Sequence, residues 1–416
     1  MLQRLFTKDK RASQAFIFVT VFLDVLGIGL ILPVLPALVG QFTSSPDQQS
    51  LWYGLLSATY GTMQFFCAPM LGALSDRFGR RPVLLVSIFG LGCSYFIHAT
   101  ATSLVALFLI RIVSGGTAAS FSVASAYIAD VTPPAERAKA FGKMGAAFGL
   151  GFIFGPVMGG LLSVHSIRLP FYIAGALAVI NWLYGYFVLP ESLPKDRRSA
   201  VSLRAANPFS ALANLGKLRG IGLLVVVYGL AIFAQYTLQS TFVLYTTFRF
   251  HWDPQQNGFA LFLVGMLGAV VQGGLQSRLL KLFGQRRLVI AGILSASIAY
   301  LCYGLVTVGW LMYVVMLANF LSYAVGPTMQ SMMSSAVGPR EQGLMQGSLN
   351  SINSLALVVC PLAGNFILST VSHLPASDWR LGTTFFLCSA LSLSALVAAV
   401  IHFSSVRAAP SEPAES

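Results

Sequence analysis

Gly72-Ala73-Leu74-Ser75-Asp76-Arg77-Phe78-Gly79-Arg80-Arg81 lies between two long apolar runs, at 52–75 and 82–99. A short, basic, glycine-containing link between two such runs is a hairpin at a membrane surface. Each run approaches the roughly 20 apolar residues that a helix needs to cross about 30 Å of hydrocarbon. The rest of the chain repeats this pattern. Hydrophobic types make up 56% of the 416 residues and charged types 9%, where an ordinary soluble domain carries roughly 25% charged residues. Mean hydropathy is +0.75. This composition excludes a soluble enzyme, a disordered chain and a secreted disulfide scaffold.

The length ruler predicts twelve spans, at 14–40, 52–75, 82–99, 103–129, 141–163, 170–189, 219–246, 256–280, 287–307, 309–335, 346–372 and 381–403. The predicted organisation is a cytoplasmic tail over 1–13, a six-helix bundle over 14–189 and a polar cytoplasmic linker over 190–218 that includes Arg204. A second six-helix bundle covers 219–403, and a disordered tail covers 404–416. The first apolar run is too long for a cleavable signal sequence, so it reads as an uncleaved first helix. With the N-terminus in the cytoplasm, 22 of the 26 Lys and Arg fall on the cytoplasmic face. Three fall on the other face and Arg111 lies within a helix. That bias sets both termini inside. It also accounts for the net charge of +13 through topology and lipid headgroups, with no nucleic acid. The five cysteines sit in apolar stretches with no C-x-x-C spacing and read as small buried hydrophobes.

The two halves repeat at one offset. Gly79 and Gly284, Glu136 and Glu341, Gly142 and Gly347, and Pro156 and Pro361 are each 205 residues apart. Duplicated membrane halves point to a transporter whose substrate site lies between them near the midplane.

The residues also resemble a known family. The stretch 72–81 is similar to the signature between helices 2 and 3 of the major facilitator superfamily. Leu109-Ile110-Arg111-Ile112-Val113-Ser114-Gly115 is similar to its helix 4 motif. Gly145, Gly149, Gly151, Gly155, Pro156, Gly159 and Gly160 resemble the helix 5 motif of its drug/proton antiporters. The opening Leu23-Asp24 to Pro36 and Ile128-Ala129-Asp130 resemble the tetracycline/proton antiporter branch. The resemblance implies the superfamily fold, with two pseudo-symmetric all-α bundles, and inner-membrane drug efflux by alternating access. It departs from the branch in three places. Gly92-Cys93-Ser94-Tyr95 and Leu294-Ser295-Ala296-Ser297 lack the branch's acids of helices 3 and 9. Val264-Gly265-Met266-Leu267-Gly268 lacks its helix 8 histidine. A relay of several acids is therefore not available.

Asp24 is the one acid placed well inside a span, ten residues in, or roughly 15 Å at 1.5 Å per residue. Hydrocarbon disfavours the ionised carboxylate, so the group can take and release a proton as its access to water alternates. Proton coupling, a site for a cationic substrate group, and a structural hydrogen bond are the three readings. Arg111 either tunes Asp24, binds an anionic substrate group, or caps backbone carbonyls. Asp76, with Arg77, Arg80 and Arg81, is expected to latch the inner gate. An acid there can bind the positively polarised helix terminus near Gln346, with Gly72 and Gly79 allowing a turn and close approach. Asp130, Glu136, Arg137, Gly155 and Pro156 complete the gating set. The stripe Gly151, Gly155, Gly159 permits close helix packing in lipid, and Pro156 bends its helix.

The candidate cavity residues are Tyr60, Gln64, Gln235, Gln239, Gln272, Asn319, Tyr323, Gln330, Asn350 and Asn353. As a set they suggest a roomy, largely uncharged site for a flat lipophilic compound. The expected function is proton-driven export of an amphipathic organic compound by a monomer, with the proton gradient as energy source and no cofactor. A proton symporter or facilitator for a small metabolite, and a channel or receptor, are the alternatives. No metal motif, nucleotide loop or clustered catalytic set is present, so an enzyme is not expected.

Overall fold

In a computed structural model 88% of the described residues are helix and none is strand. The structure describes residues 2–118, 120–198, 222–338 and 341–408, with side-chain surroundings over 14–118, 120–198, 222–338 and 341–404. Arg204, most of the expected linker and the end of the C-terminal tail lie outside these residues. The helices are α1 Leu2–Ile31, α2 Leu35–Gly40, α3 Pro46–Phe78, α4 Arg80–Thr100, α5 Leu104–Thr117, α6 Ser120–Val131, α7 Arg137–Ser163 and α8 Leu169–Val188. They continue as α9 Gly222–Phe250, α10 Pro254–Val270, α11 Gln276–Leu305, α12 Gly309–Ala318, α13 Val325–Ala336, α14 Gln342–Ser369 and α15 Thr383–Ala408.

An all-helical membrane protein follows from the solvent. Without water, backbone N–H and C=O groups must pair within their own segment. The starts are written in the sequence. Ser45 and Ser103 accept backbone N–H groups of Gln48 and Ala106, which are N-caps of the ordinary kind. Asp253 and Gln256 cap each other reciprocally, Asp253 Oδ1 accepting at 2.8 Å and Gln256 Oε1 at 3.0 Å, ahead of Pro254 in the first turn of α10.

Ten described stretches are long and apolar enough to cross a membrane. One of them, Pro254–Leu305, has 52 residues, about 78 Å as straight helix and more than twice the hydrocarbon thickness. It breaks at Gly284, whose φ of 70° and ψ of 162° are not helical. The 33-residue α3 is long enough to span but more polar. With α3 and the two limbs of Pro254–Leu305 counted separately, the described helices are compatible with the twelve expected passes.

Several passes are not single helices. The run expected over 14–40 ends at Ile31 and restarts at Leu35, where Pro33 and Pro36 interrupt the donor ladder. Within the run expected over 103–129, α5 ends at Thr117 and α6 begins at Ser120, with Ala119 outside the described residues. Asn319–Ala324 is a 3₁₀ turn between α12 and α13, and Val271–Leu275 is a π turn between α10 and α11. The expected tails are also partly helical: α1 begins at Leu2 and α15 runs on to Ala408.

Two compact units divide the chain. One takes α1–α8 together with Thr246–Gly265, and the other takes the rest of α9 and everything from Met266. In the first, α7 packs on α1 through its glycines. A Cβ on Gly155 would lie 2.6 Å from Gly29 Cα, one on Gly151 would lie 2.8 Å from Phe22 O, and one on Gly159 would strike the carbonyl of Leu30. Within the same unit a Cβ on Gly258 would meet Pro156 O at 2.5 Å. In the second unit Gly364, 205 residues beyond Gly159, packs on Thr237 and Thr241 of α9. Gly79 and Gly284 share the same offset, and they are the positive-φ glycines of the described residues, at φ 107° and 70°. The repeat is thus present in backbone conformation as well as in letters.

Gly155→Ala and Gly159→Ala are each expected to cost about 1–3 kcal/mol of stability through overpacking. Gly149→Ala, with nothing within 4 Å of the new methyl, is expected to leave stability equal or slightly raised. Thermal unfolding in detergent separates the two groups.

Candidate functional site

The first unit carries a polar cluster inside its membrane helices. Asp24 on α1 is 8% exposed and is hydrogen-bonded by the Ser120 hydroxyl of α6. Tyr95 on α4 lies against α1 where Gly27 leaves room; a Cβ at Gly27 would sit 3.1 Å from the Tyr95 hydroxyl. Arg111 on α5 places its guanidinium over the Tyr60 ring of α3, 5.3 Å from the centroid. Tyr53 lies two turns from Tyr60 on α3, so both address one side of that helix. The charges of Asp24 and Arg111 both act on the hydroxyls of Tyr60 and Tyr95, and Arg111 also acts on Tyr53. His98, one turn beyond Tyr95, engages the Ser94 carbonyl at 2.7 Å through Nδ1 and stacks on Phe171.

Asp24 and Arg111 share this cluster without an ion pair between them. Among the described residues the guanidinium makes no side-chain hydrogen bond, and its buried Nε has no partner. The Tyr95 hydroxyl and His98 Nε2 are likewise buried and unpartnered. Sequence reasoning found Asp24, Arg111 and Tyr60. It missed Tyr53, Tyr95, His98 and Ser120, since an aromatic, a histidine or a serine in an apolar run reads as core. Tyr95 stands in the stretch noted for its missing acid, so a hydroxyl occupies ground where a carboxylate was expected.

A second network lies at the basic end of the same unit. Arg80 bridges Asp76 at 2.6 Å and Asp130 at 3.1 Å, and donates to Ser75 Oγ at 2.6 Å. The Glu191 carboxylate accepts the first two backbone N–H groups of α4, from Arg80 at 2.8 Å and Arg81 at 3.3 Å. Arg81 donates to the Tyr186 carbonyl at 2.6 Å. An anion at a helix N-terminus meets both free donors and the positive end of the helix dipole. Gly79 makes the approach possible, with its positive φ and a position where a Cβ would strike Glu191.

Gly72 has no such role. It lies inside α3, and an added Cβ would find its nearest atom, Ser122 Oγ, at 3.9 Å, so neither a turn nor a close approach requires glycine there. Arg77 is exposed beside Phe78. Glu136 and Arg137 are exposed at the start of α7, and Arg137 donates to the Thr132 carbonyl at 3.4 Å. Sequence reasoning left Glu191 among ordinary loop acids because its partners lie 111 and 110 residues away.

The candidate cavity residues separate into paired and open groups. In the second unit Asn319 accepts from Ser295 at 3.0 Å and Asn353 donates to the Tyr228 hydroxyl at 3.0 Å. Gln235, Gln272, Gln330 and Asn350 are exposed, while Gln239 and Tyr323 are half-buried, as is Gln64 in the first unit. Gln272 sits in the π turn. One turn on, Gln276 ties two helices, donating to Thr328 at 2.9 Å.

Glu191→Gln is expected to weaken the cap by about 1–2 kcal/mol, the gap between charged and neutral hydrogen bonds. Backbone amides of Arg80 and Arg81 should then exchange with deuterium roughly 5- to 30-fold faster. Unchanged exchange there would show that the cap carries no weight.

Comparison with known proteins adds the following. The family description Major Facilitator Superfamily matches residues 17–355 and 224–416. The class C tetracycline resistance protein of Escherichia coli is 38% identical over 380 residues, covering 91% of this chain and 94% of that protein. The class B protein of Escherichia coli is 34% identical over 390 residues, covering 92% and 95%. The crystal structure of the human organic anion transporter MFSD10 aligns with a TM-score of 0.67 at 26% identity, covering 94% of this chain and 99% of that one.

Proposed function

The chain belongs to the Major Facilitator Superfamily, and from that premise we propose proton-coupled export of an amphipathic, drug-like organic compound by alternating access. As a member of that family it is an integral membrane transporter of small molecules and not an enzyme. Its relatives include tetracycline resistance proteins over most of the chain, which supports drug efflux.

The observation that carries the reading is Asp24. A carboxyl group buried in a membrane helix without a cationic partner is costly to keep ionised and cheap to protonate. Binding a proton on one face and losing it on the other is the chemistry an antiporter needs. One charge moving down 100 mV supplies about 2.3 kcal/mol, enough to drive accumulation without a cofactor. In this reading Arg111 and the tyrosines set the electrostatic surroundings of Asp24. Asp76, Arg77, Arg80, Arg81 and Asp130 serve the inner gate, with Glu191 holding the start of α4. Gly155 and Pro156 form the α1–α7 seam that resists leak. The open glutamines and asparagines supply weak, uncharged contacts to substrate. The distribution of Lys and Arg supports a cytoplasmic location for both termini, and the tetracycline relatives support a bacterial inner membrane. The protein is proposed to act as a monomer.

A second reading, transport of an organic anion in either direction, draws on the likeness to human MFSD10. Purified protein in liposomes, loaded with a pH-sensitive dye and screened over dyes, antibiotics and metabolites, separates the readings. A transported compound should move protons against its own flux. Asp24→Asn is expected to fold and bind but to lose proton-driven transport. Full active transport by Asp24→Asn would refute the role, and proton movement in the same direction as substrate would favour the symport alternative.

A further inference from the structure

We infer that Arg111 is the anchor for a negatively charged group on the transported compound, so that the preferred substrates are amphipathic aromatic monoanions: carboxylates, phenolates or enolates on a flat apolar body. The inference rests on the reading of the chain as a transporter of amphipathic organic compounds, and it specifies the substrate class.

The starting point is a charge without a partner. Arg111 lies in the candidate span Leu104–Val131, and a guanidinium in hydrocarbon is expensive unless something neutralises it. Among the described residues no carboxylate comes within ion-pair distance of it. Its side chain makes no hydrogen bond with them, and Nε is buried and unpartnered. The one acid of the cluster, Asp24, is already engaged by Ser120. The cation is therefore left unneutralised by its surroundings.

What surrounds it is suited to a particular ligand. The Tyr60 ring face lies 5.3 Å from the guanidinium carbon, which steadies the cation without consuming its N–H donors. A guanidinium presents five N–H groups in a planar fork that matches a carboxylate in two parallel bonds. Bonds of this charge-assisted kind are roughly twice as strong as neutral ones. The Tyr95 hydroxyl, buried and unpartnered, offers a further donor within the electrostatic reach of Arg111. The rings of Tyr53, Tyr60 and Tyr95 give flat surface for an aromatic body. One cation favours one negative charge, since a second charge on the ligand would be buried without compensation.

A purely structural arginine makes a different pattern. It would bond backbone carbonyls or send its head to the membrane surface. Among the described residues Arg111 donates to no carbonyl, and it turns its charge toward the Tyr60 ring within its own bundle.

The test uses the full-length protein in detergent and equilibrium dialysis with matched pairs of ligands. Naphthoate is compared with naphthamide, and salicylate and anthracenecarboxylate with their amides. At least one acid is expected to bind about tenfold tighter than its amide, the value of one charge-assisted contact. Arg111→Gln should bring that ratio to about one with amide binding unchanged, and Arg111→Lys should keep part of it. Both variants are compared by melting curve, and the lysine variant keeps the test valid should glutamine fail to fold. Equal binding of acid and amide in every pair would overturn the inference. So would an acid preference that survives in Arg111→Gln, or a loss of acid and amide binding in equal measure. Proton flux in liposomes is read in parallel. Acid preference without flux strikes the export reading and leaves this one. Flux that depends on Asp24, without acid preference, does the reverse.

Discussion

A charge inside a membrane helix has no water around it, and that deficit organises this protein. Every full charge placed there has to be neutralised by the fold, protonated away or met by a ligand. The chain keeps such charges to a minimum, with 9% charged residues overall. Asp24 and Arg111 come to one cluster in the first unit, yet the structure does not pair them. Leaving both unneutralised costs stability. The arrangement becomes intelligible if a proton answers the first and a substrate the second.

The same solvent dictates how the helices meet. Lipid offers no hydrophobic drive for one helix to join another, so contact has to come from close packing. The glycines of α7 permit this by bringing backbone onto backbone along α1, with Gly155 against Gly29. Asp24 lies on the helix that this seam holds. A motif associated by resemblance with antiport is therefore, at the atomic level, a device for fixing the helix that carries Asp24. Its members do not contribute alike: Gly151, Gly155 and Gly159 face α1, while a methyl on Gly145 or Gly149 would meet nothing within 4 Å.

Much of this was legible in the residues. Run length and the placement of Lys and Arg give the helical passes, and a lone acid or arginine in an apolar run announces itself. The 205-residue repeat reappears as paired positive-φ glycines at 79 and 284. The unread features share a cause. Tyr95 and His98 have side chains that are equally at home as core, and only their unpartnered atoms distinguish them. Glu191 is one loop acid among several until folding brings it to the start of α4. The break at 32–34 depends on local conformation, which Pro33 and Pro36 signal but which apolar continuity over 14–40 masks. Gly72 erred in the other direction, since its place in a recognisable motif suggested a turn where the chain is plain helix.

In the proposed transport cycle Asp24 exchanges its proton with substrate. The most direct measurement is the pH change when a transported compound from the liposome screen is mixed with purified protein in weakly buffered detergent, followed with an indicator dye. Proton release is expected from the wild-type protein and none from Asp24→Asn, with both binding the compound. Equal release from the two proteins, or binding by the wild type with no release, would contradict it.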